Sequence, residues 1–224
     1  SKDFAMAQIF PSSANNIARA SMILALVAVA AILGGMSAFF YSSYVTRVGE
    51  VRAQPVPFSH NHHVGGVGLD CRYCHASVET EAFAGIPPTK TCMTCHSQIW
   101  KDAPMLAPVR ESLKTDKSLV WERVHDLADF AYFNHSIHIT KGVGCSTCHG
   151  RVDQMQLTFK TQTLYMAWCI NCHRNPEKVL REQKDIFNLA WEPGPNQEVL
   201  GAQLRKDYNI PTTALLTSCS TCHR

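Results

Sequence analysis

All ten cysteines of the chain fall into five C-x-x-C pairs, and a histidine directly follows each pair. Only 11 of the 224 residues are histidines, so chance does not account for five of them in this position. Cys-x-x-Cys-His is the attachment signature of c-type haem: two thiols bind the porphyrin and the histidine ligates the iron. The sequence therefore predicts five covalently bound haem c groups. The attaching cysteines are Cys71, Cys74, Cys92, Cys95, Cys145, Cys148, Cys169, Cys172, Cys219 and Cys222, and the proximal ligands are His75, His96, His149, His173 and His223.

Two other uses of paired cysteines explain the pattern less well. A zinc ribbon is built from C-x-x-C pairs, but it does not need a histidine directly after every pair. A disulfide framework suits an exported chain with an even number of cysteines, yet it too leaves the five histidines unexplained. Haem attachment is therefore favoured over both.

An uncharged stretch from Ala20 to Thr46 constrains the N-terminal part of the chain. Its apolar portion, Ala20 to Tyr41, is long enough to cross a bilayer as one helix and longer than a typical signal-peptide core. An uncleaved anchor is therefore expected, with a cleaved signal peptide as the alternative. The lysines and arginines that flank the stretch are balanced and do not set its orientation. Because bacterial haem c is attached outside the cytoplasmic membrane, we expect a single-pass protein of the bacterial inner membrane with its haem domain on the periplasmic side.

These features predict four segments. Residues 1–19 form a cytoplasmic segment, residues 20–44 the transmembrane anchor, residues 45–57 a linker, and residues 58–224 a periplasmic pentahaem domain. The 21 basic and 18 acidic residues are evenly spread, which argues against nucleic acid as a partner.

The pentahaem domain contains an internal repeat. An F-x-H-x-x-H segment begins at Phe58 and again at Phe133, and each is followed by Gly-Val-Gly and two haem motifs. The repeat units span about residues 58–100 and 133–175, and the fifth motif at 219–223 lies outside them. The sequence thus indicates a duplicated two-haem module.

The repeat also predicts distal iron ligands, because each unit pairs two haem motifs with two histidines in equivalent positions. These are His60, His63, His135 and His138. His62 has no counterpart, since Ile137 occupies the matching position, and is expected to face solvent or to support a ligand. The fifth distal ligand stays open among Met166, Met155 and His125, because a methionine would raise the potential of its haem and a histidine would match the others.

The expected fold is mainly α-helical and irregular. Proline-containing segments divide the domain into loops and short helices, and alternating strand patterns are nearly absent. Pro176, followed by apolar Val179, Leu180 and Ile186, predicts a helix from about Glu177 to Leu189. Macrocycles are expected to fill much of the core.

Three segments resemble the pentahaem cytochrome c subunit of alternative complex III, and the paired units also resemble the class III multihaem cytochromes. The resemblance spans residues 58–174 and implies a relay within a membrane quinol oxidoreductase. It also implies the partners of that complex: a large iron–sulfur subunit, polytopic quinol-binding subunits and a monohaem cytochrome. The segments are Val124 to His138, Gly142 to Met155 and Met166 to Arg174.

Two other functions are alternatives to an electron relay. A NapC/NirT-type anchored quinol dehydrogenase also has one N-terminal span, but typically carries four haems. A catalytic multihaem reductase needs one iron with an open position, often marked by an unusual attachment motif, whereas all five motifs here end in histidine. We therefore expect a hetero-oligomeric electron-transfer subunit with no catalytic residues of its own.

Overall fold

The computed structural model describes residues 9–11 and 13–223. The chain divides between residues 47 and 48 into two compact units. Regular structure in the described residues is helical, and the β-structure there consists of three isolated bridges. The mainly helical and irregular fold predicted from the sequence is confirmed.

The N-terminal unit contains one long helix, α1 (Ala14–Tyr41), followed by the single turn α2 (Ser43–Thr46). Helix α1 has a mean hydropathy of 2.4 over its most apolar window and none of its residues is buried. It ends where Ser42 becomes extended, with the Ser42 amide and hydroxyl both donating to the carbonyl of Phe39. At 28 residues the helix is long enough to cross a membrane, and it begins six residues before the predicted span.

The first part of the second unit carries the first repeat. A π-helical turn (Asn61–Gly66) leads to α3 (Cys71–Cys74) and α4 (Thr89–His96), and a 3₁₀ turn (Pro104–Leu106) continues into α5 (Ala107–Thr115). Asp70 starts α3 by accepting a hydrogen bond from the Arg72 amide at 2.8 Å.

The second repeat has the same order of elements. Helix α6 (His135–Thr140) precedes α7 (Cys145–His149) and α8 (Met166–Arg174). Asn134 caps α6, because its side-chain oxygen accepts from the Ile137 amide at 3.2 Å. A 3₁₀ turn (Val152–Gln154) lies between α7 and α8.

The rest of the unit contains α9 (Gln197–Asp207), α10 (Thr213–Leu216) and α11 (Cys219–Cys222), after 3₁₀ turns at Pro176–Lys178 and Gln183–Asp185. The predicted helix from Glu177 to Leu189 is wrong. Leu180 instead forms an antiparallel bridge with Val143, and the Arg181 amide donates to the Gly142 carbonyl at 2.9 Å. The backbone of Leu180 and Arg181, which a helix would hydrogen-bond internally, is thus paired with the backbone of the second repeat.

The side-chain core of the described residues is small. Val56, Leu106 and Val109 form one buried apolar cluster, and Val78, Ile139 and Ile186 form another. Each cluster joins segments that are distant in sequence and so connects short elements of the domain.

Candidate haem-binding sites

All five Cys-x-x-Cys-His motifs lie on single helical turns, within or at the ends of α3, α4, α7, α8 and α11. Residues three or four positions apart share one face of a helix, so each turn presents two thiols and an imidazole together. None of the ten cysteines forms a disulfide, so the sulfurs of all five pairs can form thioether bonds to haem.

The two F-x-H-x-x-H segments hold their rings in the same way. Phe58 stacks on His63 with centroids 4.4 Å apart and meets His60 edge-on at 4.9 Å. Phe133 stacks on its second histidine, His138, at 4.3 Å and meets its first, His135, edge-on at 4.8 Å. The sequence repeat is therefore also a repeat of side-chain geometry.

Most of the predicted ligands are oriented by a hydrogen bond at Nδ1. In seven histidines the partner is a backbone carbonyl, at 2.7 to 3.0 Å. A carbonyl can only accept, so Nδ1 carries the proton and the lone pair is on Nε2, the atom free to ligate a metal. His60 is held similarly by the hydroxyl of Thr158 at 2.9 Å. The seven are His63, His75, His96, His135, His138, His173 and His223.

Three distal candidates lie opposite a proximal histidine. The ring centroids are 6.1 Å apart for His63 and His96, 6.4 Å for His135 and His149, and 6.2 Å for His138 and His173. A metal–imidazole bond is roughly 2 Å long, so two such bonds and two half-rings span about 6 Å. The side chains therefore fit iron ligated from both faces, and this is the observation that supports haem at these positions.

His125 belongs to a cluster of buried rings around the third motif. Its centroid is 4.2 Å from that of His149, and its Nε2 is buried with no hydrogen-bond partner among the described residues. Burial lowers the pKa of His125 and His60 to about 4, and that of His149 to about 3. Because these rings are neutral at pH 7, each presents a free lone pair to a metal.

The remaining predicted residues have different surroundings. His62 is exposed and its ring stacks on Trp100 at 5.5 Å. Met155 is buried, and its carbonyl accepts from the Asn61 amide at 2.9 Å, whereas Met166 is 63% exposed at the start of α8.

The fifth proximal histidine, His223, donates from Nδ1 to the Phe130 carbonyl at 3.0 Å, and its ring centroid lies 5.7 Å from that of Phe130. His125, the histidine candidate for the fifth distal ligand, packs against His149 of the third motif.

Sequence reasoning missed the groups that orient the histidines. His63 and His138 each donate to the carbonyl four residues before them, at Ser59 and Asn134. His135 instead uses the carbonyl of Ala82, which lies 53 residues away. Any residue supplies a carbonyl, so no residue type in the sequence marks these partners.

Comparison with known proteins identifies the family of the chain. The profile of the family "Cytochrome c7 and related cytochrome c" matches residues 131–224. The menaquinone reductase multihaem cytochrome c subunit of Nitratidesulfovibrio vulgaris (strain Hildenborough) is 32% identical over 145 residues, which cover 55% of this chain and 69% of that protein. The chain therefore belongs to the family of multihaem c-type cytochromes, in which haem c is covalently bound.

Proposed function

We propose that this chain is a membrane-anchored pentahaem cytochrome that relays electrons within a respiratory quinol oxidoreductase of the alternative complex III type. The electrons would leave to a periplasmic cytochrome or a terminal oxidase. The observation that carries the proposal is the set of three imidazole pairs with a common separation of 6.1 to 6.4 Å. Haem c, when bound, supplies a one-electron carrier at each motif.

The chain's own residues hold these carriers in place. His63, His135 and His138 are assigned as distal ligands opposite His96, His149 and His173. His60 is assigned to the first motif, because His63 of the same segment lies opposite His96 of the second motif and the equivalent His135 lies opposite the first motif of its own repeat. The fifth distal ligand stays open among Met166, Met155 and His125: His125 has a buried Nε2 without a hydrogen-bond partner in the described residues, but its ring packs against His149 of the third motif.

Ligation from both faces favours a relay over catalysis on a small molecule. A substrate that reacts at iron needs an open coordination position, and at the three paired sites the opposed imidazoles would leave none. The carbonyl bonds that fix the histidine tautomers also restrain the rings in the orientation that iron would require.

The partners and location follow from the relative and from helix α1. The relative is named as a subunit of a menaquinone reductase, which supports a quinone-linked membrane assembly for this chain as well. The expected partners are an iron–sulfur subunit, polytopic quinol-binding subunits and a monohaem cytochrome. The apolar α1 would anchor the chain in the bacterial inner membrane, with the haem domain on its periplasmic side. A NapC/NirT-type quinol dehydrogenase is the second candidate, favoured only by its single N-terminal span.

The function is tested by isolating the chain from native membranes in mild detergent and identifying its partners by mass spectrometry. An assembly with an iron–sulfur subunit and polytopic subunits supports the relay. A chain found alone, or with only a soluble reductase, would place quinol oxidation on this protein and favour the NapC-type alternative. The mass of the chain in the same experiment counts the attached haems, for which five are expected.

The ligand assignment is tested with two adjacent histidines. Replacing His63 by alanine removes a ring 6.1 Å from His96, so one haem is expected to change from low spin to high spin while its covalent attachment persists. Replacing exposed His62 by alanine is the matched control and should leave every haem low spin. Electron paramagnetic resonance of the oxidised protein measures both. An unchanged spectrum for His63→Ala would remove this residue from the ligands.

A further inference from the structure

One buried charge in the second unit has no role in the relay described so far. Arg181 is 2% exposed, although arginine is rarely buried without a partner. Its Nη2 donates to the Thr147 hydroxyl at 2.9 Å, and its Nη1 contacts the Ser146 hydroxyl at 3.2 Å. Ser146 and Thr147 are the two residues between Cys145 and Cys148. The guanidinium therefore lies directly beside the third haem motif.

No carboxylate of the described residues forms an ion pair with Arg181. Its guanidinium forms no ion pair within residues 13–223, and its Nε is buried without a hydrogen-bond partner there. Asp185 attracts it only from beyond ion-pair distance. The guanidinium carbon lies 3.9 Å from the centroid of the Trp191 ring, so an aromatic face covers the charge without cancelling it. Arginine stays protonated even in such surroundings.

Glycine residues before the third motif make room for Arg181 beside it. Gly144 is the residue immediately before α7, and a Cβ placed on it would overlap the guanidinium of Arg181. Gly142 has a φ of +84°, and a Cβ placed on it would lie 2.9 Å from the Arg181 carbonyl oxygen. The close approach of the charge thus depends on two glycines of the second Gly-Val-Gly segment. The corresponding segment of the first repeat, Gly66 to Gly68, is separated from its motif by two further residues.

We propose that the positive charge of Arg181 raises the reduction potential of the haem attached at Cys145 and Cys148. This inference rests on the proposed relay function. A reduced haem holds one more electron than an oxidised one, and a buried positive charge that no carboxylate of the chain pairs with stabilises that electron. Arg181 itself exchanges neither a proton nor an electron. The third site is thereby biased toward the reduced state by a residue of the chain that does not ligate the iron.

The test is a potentiometric titration of the detergent-solubilised full-length holoprotein, followed by optical and electron paramagnetic resonance spectra. In Arg181→Gln the equilibrium constant for reduction of one haem is expected to fall about tenfold, which corresponds to a reduction potential lower by about 59 mV. The reduction potentials of the other haems should not change. Arg181→Lys keeps the charge and should stay close to the wild type. The proposal is overturned if Arg181→Gln retains its haems and no component moves, or if all components drift together as general loosening would cause.

A second neutral variant keeps the proposal testable if Arg181→Gln fails to fold. Arg181→Met fills a similar volume without the charge and leaves no polar side-chain group unpaired, so it should lower the potential of the same component, whereas Arg181→Lys should not. Equal potentials for Arg181→Met and Arg181→Lys would refute the proposal. Failure of the proposed function appears separately, as the absence of a quinone-linked assembly, and does not change this local potential.

Discussion

Replacing Gly201 by alanine tests how α9 is packed on the segment that carries Arg181. A Cβ at this position would lie 2.7 Å from both the carbonyl carbon and the Cα of Glu177, and closer still to the carbonyl oxygen. Ordinary contacts of a Cβ begin at 3.4 Å. The obstacle is backbone, which no side-chain rotation can relieve, so α9 and the turn at Pro176–Lys178 must separate.

The expected cost combines two opposing effects. Alanine stabilises a helix interior by about 1 kcal/mol relative to glycine. Overpacking a well-filled interface costs about 1–3 kcal/mol, and a backbone clash belongs at the upper end of that range. The variant should therefore lose about 1–2 kcal/mol of stability, equivalent to a fall in Tm of roughly 2–8 °C for a domain of this size.

The assay is thermal unfolding of the detergent-solubilised holoprotein, followed by far-ultraviolet circular dichroism. Gly194→Ala is the matched control, because a Cβ there meets no atom within 4 Å. It should be neutral or slightly stabilising, since alanine reduces the entropy of the unfolded chain. Equal Tm values for Gly201→Ala and Gly194→Ala would refute the close packing of α9 on Glu177.

Two further predictions concern a helix cap and an ion pair. Asn134→Ala removes the side-chain acceptor of the Ile137 amide and should lower stability by about 1 kcal/mol in a denaturant titration, whereas Asn134→Ser should largely preserve the cap. Burial raises the pKa of Glu177, but its hydrogen bonds, foremost the one from Arg205, outweigh this and hold the pKa below its ordinary value of 4.5. The ionised Glu177–Arg205 pair therefore stabilises the folded state fully above pH 4.5. This stabilisation is lost as the pH falls through the lower folded-state pKa of Glu177. Glu177→Gln should be less stable than the wild type at pH 7 by about 0.5 kcal/mol, because both side chains are partly exposed, and the difference should shrink as the pH falls below 4.5. A difference that does not shrink on acidification would contradict the linkage.

The attachment chemistry was readable from the sequence because it is local. Two cysteines and a histidine within five residues share one helical turn, so the motif specifies its own geometry wherever the chain forms that turn. The N-terminal apolar helix was predictable for a similar reason, since length and hydropathy decide it without reference to the rest of the chain. The duplicated F-x-H-x-x-H segment also reappeared as a duplicated arrangement of rings.

The helix predicted at Glu177 to Leu189 failed because long-range contacts overrode its local signals. Proline at the start and apolar spacing favour a helix, but Gly142 and Val143 of the second repeat pair with the backbone of Leu180 and Arg181. Propensity is a weak prior where a distant segment offers its own hydrogen bonds. The helix Gln197–Asp207 was missed.

The sequence by itself determined the kind of cofactor and the helical, irregular character of the fold, because each depends on residues close together in the chain, and for the same reason it predicts the proximal residues. Only the tertiary structure decided which distal histidine lies opposite which proximal one. His135 faces His149 because its ring is oriented by the Ala82 carbonyl from the other repeat. Only the tertiary structure also placed the charge of Arg181 beside a motif that ends 32 residues before it. Such relations are set by packing between distant segments, which local sequence patterns do not encode.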